Sequence, residues 1–179
     1  MDGSLAAIIG AAVGAVGGLG GGWVSVVGQA RHHRAQQLAD RVRWRDEMRR
    51  EAYVAYLAAA RQLNASWWKV SDHLAVRESS PAEWQEALTQ THDAWAAFST
   101  AAAAVAVAGP EAVVAAASEL HGVMRQWEMV GVDWARAAIR NGTSCAAEYQ
   151  ARFEAAASAK QIPFVAFQQA ARAVLGTEL

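Results

Sequence analysis

One cysteine and three prolines are all that this 179-residue chain contains of either. The lone Cys145 excludes an internal disulfide and reads as a small buried hydrophobe, in keeping with a reducing compartment. Prolines stand only at 81, 110 and 163, and β-branched residues are sparse beside long Ala-rich stretches. This composition disfavours sheet and favours helix almost everywhere, so the predicted fold class is all-α. Charge is also scarce, 18% of residues against 54% hydrophobic, which excludes a disordered chain. The length suits one compact domain plus an anchor.

The net charge of −1 conceals an asymmetry. Residues 28–50 hold seven arginines (31, 34, 41, 43, 45, 49 and 50) against Asp40, Asp46 and Glu47, a balance of +4. Residues 51–179 hold nine basic and thirteen acidic residues, a balance of −4. A basic collar suits nucleic acid or an anionic membrane surface. Its place directly after an uncharged stretch selects the membrane and argues against nucleic acid.

That stretch, Leu5 to Val27, is 23 residues without a charge. As a helix it reaches about 34 Å, enough for a hydrocarbon core of ~30 Å. Nine Leu, Ile or Val residues favour insertion, while seven Gly and five Ala add little. Trp23, one turn before the collar, has the position of an interface anchor, with Arg31, Arg34, Arg41, Arg43, Trp44 and Arg45 following as candidate membrane-interface residues. Trp44 could meet lipid head groups or a partner helix. The opening Met1-Asp2-Gly3-Ser4 lacks the basic n-region of a signal peptide, and the glycines match no phosphate-binding loop. Because the arginines all follow the span, the N-terminus is expected outside and the rest in the cytoplasm. Gly10, Gly14, Gly18 and Gly22 recur every four residues. They form one ridge without side chains, a glycine zipper along which two spans, or the span and another membrane protein, can pack closely.

From Gly28 to Arg77 nothing breaks a helix, so a long juxtamembrane helix is expected to run on into the domain. Its apolar stripe is Tyr53, Tyr56, Leu57, Ala60, Leu63, Trp67, Val70 and Leu74; upstream it thins to Leu38, Val42 and Met48, as in a stalk. Ser80-Pro81-Ala82-Glu83 predicts an N-cap with a capping box. The next helix carries Trp84, Leu88, Thr91, Trp95, Phe98, Ala102 and Val105 in a heptad-like, coiled-coil seam. Gly109-Pro110 divides it from a helix with Val113, Ala117, Leu120, Met124 and Trp127, whose stripe is expected to continue past Gly131 to Trp134 and Ile139. After Asn141-Gly142, Tyr149, Phe153 and Ala156 mark the last stretch, which Pro163 kinks or restarts before Phe164, Phe167, Ala171 and Leu175. The predicted layout is a tail (1–4), a transmembrane helix (5–27), a basic stalk (28–50) and an antiparallel bundle of about four helices (51–179).

No constellation of catalytic residues emerges. A di-iron bundle needs Glu-x-x-His pairs, and Val70, Thr89 and Ser118 precede His73, His92 and His121 by three. His32 and His33 lie among arginines, which repel a metal cation. His92-Asp93 lacks the motif of a phosphoacceptor, no serine sits in a nucleophile elbow, and Cys145 has no adjacent base. No cofactor is expected. Of eight tryptophans, Trp44 and Trp68 fall off the apolar stripes and are candidate contact residues.

The Gly-rich span, the Arg-rich juxtamembrane run Arg41-Val42-Arg43-Trp44-Arg45 to Arg49-Arg50-Glu51-Ala52-Tyr53 and the Ala-rich bundle resemble small, uncharacterised membrane proteins of high-GC bacteria. The resemblance implies a membrane anchor and transfers no activity or site. The expected function is a membrane-anchored scaffold or protein-interaction module that contacts membrane lipids, associates with itself or another membrane protein, and recruits a cytoplasmic partner. The alternative is an oligomeric effector that permeabilises the bilayer. An enzyme is the third reading.

Overall fold

The computed structural model describes the backbone of residues 3–76, 79–142 and 147–176, and side chains at 36–37 and, within those ranges, from 40 onward. The described residues form five helices joined by short turns: α1 (Gly3–Ala75), α2 (Pro81–Ala108), α3 (Glu111–Asn141), α4 (Ala147–Ser158) and α5 (Gln161–Leu175). Two compact units divide the chain, Met1–Arg45 and Asp46–Leu179. In the first, α1 is helix without interruption. Among the described residues no helix is long and apolar enough to cross a membrane. The structure therefore gives no support to a span over 5–27, whose side chains lie outside the described residues. Cys145 lies outside them too.

The second unit is the expected helical bundle, and local chemistry sets its boundaries. Ser80 caps α2: its hydroxyl accepts the Glu83 N–H, and the Glu83 carboxylate accepts the Ser80 N–H at 2.7 Å, with Pro81 at the first helical position. These bonds from Ser80 hold the Glu83 carboxyl below its usual range. Ser79 joins α1 to α2, donating to the carbonyls of Val76 and His73 and accepting the Trp84 indole N–H at 2.8 Å. Gly131 does not interrupt α3, which ends where Gly142 takes φ +62°, a left-handed conformation suited to glycine. The fourth expected helix is divided by the turn at Ala159 and Lys160 into α4 and α5. Pro163 restarts rather than kinks: it sits in the first turn of α5, where a missing N–H costs no helical bond.

Side-chain contacts between helices fix the topology. Arg49 Nε reaches the Ala108 carbonyl at 3.0 Å, Tyr56 stacks on Phe98 at 5.0 Å, and Lys69 Nζ donates to Gln90 at 3.0 Å, so α1 and α2 run antiparallel. Tyr56 Oη donates to the Ala117 carbonyl at 2.8 Å and Trp67 meets Trp127 farther along, so α1 and α3 run parallel. Tyr56 against Phe167 and Asn64 against Lys160 make α5 antiparallel to α1. Helix α3 has close backbone approaches to α2, α4 and α5. Helix α1 meets the core through large side chains: Tyr53, Tyr56, Leu63, Trp67 and Leu74 are all fully buried. The predicted stripes supply most of the core, with Leu57, Leu88, Trp95, Ala102, Ile139, Tyr149, Ala156, Phe164 and Leu175 only partly covered at its edge.

Gly131 is the narrow point of this packing. A Cβ built there would lie 2.3 Å from Cζ3 of Trp67, whereas at Gly122 on the same helix it would meet nothing within 4 Å. Gly131→Ala is therefore expected to destabilise the bundle by about 1–3 kcal/mol through overpacking. Gly122→Ala is expected to stabilise it by ~0.5–1 kcal/mol through helix propensity. Urea unfolding followed by tryptophan fluorescence checks both; equal shifts of one sign would contradict the assigned packing.

Candidate functional site

Lysine is rare in this chain: fourteen of sixteen basic residues are arginine, and only Lys69 and Lys160 are not. Lys69 is exposed, whereas Lys160 is 8% exposed. The reason is local. Lys160 occupies the turn that ends α4 and opens α5, immediately before the first residue of α5. From there its side chain passes inward between α1 and α3. The amine donates to Asn64 Oδ1 at 2.6 Å and lies 2.9 Å from the centre of the Trp127 ring. An amide oxygen and an aromatic face are good partners for an ammonium but weaker than a carboxylate. Burial therefore dominates and pushes the amine from its ordinary 10.5 down to about 7.

Lys160 and its partner Asn64 line a cavity of about 700 Å³ that is walled by residues of α1, α3, α4 and α5 and open to solvent on one side. Ala60, Met124 and Phe164 supply apolar wall; Trp68, 38% exposed, and Val165 lie where it opens to solvent. Asn64, Ser158 and Gln161 are its neutral polar groups, and Arg61 and Glu154 its charged ones. Trp68 also packs edge-on against Phe153 at 5.5 Å, so this off-stripe tryptophan belongs to the cavity rim. A cavity of this size, mostly apolar with a few polar groups, is the usual form of a small-molecule site.

The chain matches no protein-family model, curated protein or solved structure.

Of the residues singled out from sequence, Arg41, Arg43, Trp44 and Arg45 are exposed on α1 in the first unit, Trp44 at 66%. Gly10, Gly14, Gly18, Gly22, Trp23, Arg31 and Arg34 fall where side chains are not described. His92 is exposed, and His121 stacks on Phe98 at 5.4 Å, its pKa lowered by burial and then by Arg125. Burial raises the Glu128 carboxyl, opposed by His92 and Arg125. Among the described residues, no group of three or more His, Cys, Asp or Glu converges as a metal site would require. Sequence reasoning missed Lys160. The available signal was the near-complete use of arginine, against which a lysine beside Pro163 and Phe164 stands out.

The buried amine makes stability depend on pH. Unfolded, Lys160 holds its proton up to its ordinary 10.5; folded, only up to about 7. Between those values the unfolded chain binds more protons, so this contribution to stability rises with pH and is lost as pH falls toward 7. Urea midpoints measured from pH 7 to about pH 9 should climb in the parent and climb less in Lys160→Met. Parallel curves for the two proteins would show that the amine is not held uncharged.

Proposed function

We propose that the chain is a membrane-anchored, self-associating helical scaffold. Residues 5–27 cross the bilayer, the arginine-rich stalk follows on the cytoplasmic side, and the bundle is presented there to a protein partner. The anchor rests on the uncharged run of 23 residues and on the placement of all seven collar arginines after it.

The observation that bears most on the stalk is the exposure of Trp44, at 66%, between the exposed Arg43 and Arg45. Distance decides what such an indole can meet. Along a helix Arg31 and Arg34 stand roughly 6–11 Å beyond Val27, within reach of head groups, whereas Trp44 stands about 26 Å beyond it. The head-group layer is only about 5–8 Å deep on each side. Trp44 therefore suits a protein contact better than a lipid one. With Arg41, Arg43 and Arg45 interleaved with Asp40, Asp46 and Glu47, the surface around it is one that a second copy can complement in charge. The glycine ridge Gly10, Gly14, Gly18 and Gly22 offers the matching contact within the span.

The full chain is expected in the membrane fraction and to resist carbonate extraction, with the bundle protected from protease added to intact spheroplasts. Recovery in the soluble fraction would remove the anchor, and digestion of the bundle would reverse its orientation.

Self-association should fall in crosslinking assays on the full chain when Gly14 or Gly18 is replaced by Ile, which holds backbones apart. Gly17→Ile and Gly20→Ile raise hydrophobicity equally on other faces and should disturb it less. Trp44→Ala should weaken crosslinking without releasing the chain from the membrane. Equal signals from ridge and off-ridge variants would sink the zipper.

A further inference from the structure

Nothing in the packing of the bundle requires a lysine at 160. An amine there is taken out of water at a cost that its two partners, Asn64 and the Trp127 face, only partly offset, and a Met or Leu would fill the same path between α1 and α3 without that cost. Arginine serves elsewhere, at fourteen of sixteen basic positions. What distinguishes a lysine is chemical: its amine can lose the proton and become a nucleophile, which a guanidinium does not. The residue is also placed for use, since Lys160 and Asn64, the partner of its amine, both line a cavity of about 700 Å³ that opens past Trp68 and Val165.

We propose that this cavity binds a small neutral aldehyde or ketone with an apolar body, and that Lys160 Nζ condenses with its carbonyl carbon to form an imine. The charges of the lining argue for a neutral ligand, because Arg61 and Glu154 offset one another and, Lys160 aside, the remaining polar groups are uncharged. The apolar body matches the wall of Ala60, Met124 and Phe164. In the condensation the nitrogen lone pair adds to the carbonyl carbon and the carbonyl π pair moves to oxygen. The nitrogen gives up its two protons to that oxygen, which leaves as water, and a C=N bond remains. Nothing is oxidised or reduced. Asn64 Oδ1 positions the amine, and Trp127 beneath it restricts the approach to the cavity side. The site lies wholly within the unit Asp46–Leu179, so it does not depend on how the chain is anchored.

The chain carries its own control, because Lys69 is the one other lysine and is exposed. The test is reductive alkylation of the full-length protein with hexanal and cyanoborohydride at pH 7, with the modified lysine located by mass spectrometry. At that pH about half of an amine with pKa near 7 is uncharged. For an ordinary lysine the fraction is roughly one in a few thousand. Lys160 is therefore expected to react at least about tenfold faster than Lys69 despite its burial. The preference should vanish in urea, and Ala157→Leu, which narrows the cavity, should slow Lys160 and leave Lys69 unchanged. Reaction at Lys69 as fast as at Lys160 in the folded protein would overturn the proposal. So would a Lys160 rate indifferent to Ala157→Leu in a variant whose circular dichroism shows a native fold.

Discussion

The indole of Trp67 lies against the backbone of Gly131, and the position of α1 in the bundle depends on that contact. Helix α1 sends its large rings into the core, so its place among its neighbours depends on what those rings rest upon. At Gly131 the ring occupies the space that any other residue's Cβ would need. From there an aromatic cluster extends: Trp127 meets Trp67 and Phe153, and Trp134 meets Phe153, with ring centres 5.0–6.2 Å apart. A second group, Tyr53 and Tyr56 with Phe98 and Phe167, closes the other end, where the Tyr56 hydroxyl is anchored on the Ala117 carbonyl and its pKa is raised by burial.

Filling a small bundle with indoles has a cost. The Nε1 atoms of Trp67, Trp127 and Trp134 and the hydroxyl of Tyr53 are buried without a hydrogen-bond partner in the described structure. Each such donor gives up on the order of 1–3 kcal/mol, against the large apolar area each ring removes from water. The same rings create the surroundings of Lys160. A core built of leucine would offer its amine no π face, and a carboxylate partner would hold its proton on. The aromatic core thus supports both the fold and an amine whose charge is only loosely held.

In Asp46–Leu179 most large rings turn inward, beside a cavity of about 700 Å³, while Val107 and Ile162 are exposed. In Met1–Arg45 the described apolar side chains, Val42 and Trp44, face solvent among arginines. A largely apolar cavity suits a small molecule, and a row of exposed side chains on a helix suits another protein. A scaffold that is tethered through one unit and holds a small molecule in the other is consistent with both.

Most of the fold was legible from residue spacing, because a helix repeats every 3.6 residues and its buried face must repeat with it. Tyr53 to Leu74, Trp84 to Val105 and Val113 to Trp134 could be read as inward stripes, and Ser80-Pro81-Ala82-Glu83 as a cap, since those interactions lie within a few residues of each other along the chain. The division of the last segment at Lys160, the continuity of α3 through Gly131 and the rim position of Trp68 were not legible, because each is settled by a contact between helices. Lys160 is the sharpest case. Its partners Asn64 and Trp127 lie 96 and 33 positions away, and in sequence only its rarity among arginines marks it. By itself the sequence determined the helices, their caps and their apolar faces, through forces that act over one or two turns. Which rings meet, where a cavity remains and which amine is stripped of water were decided by tertiary packing, because burial and electrostatics depend on distance in space and not on separation along the chain.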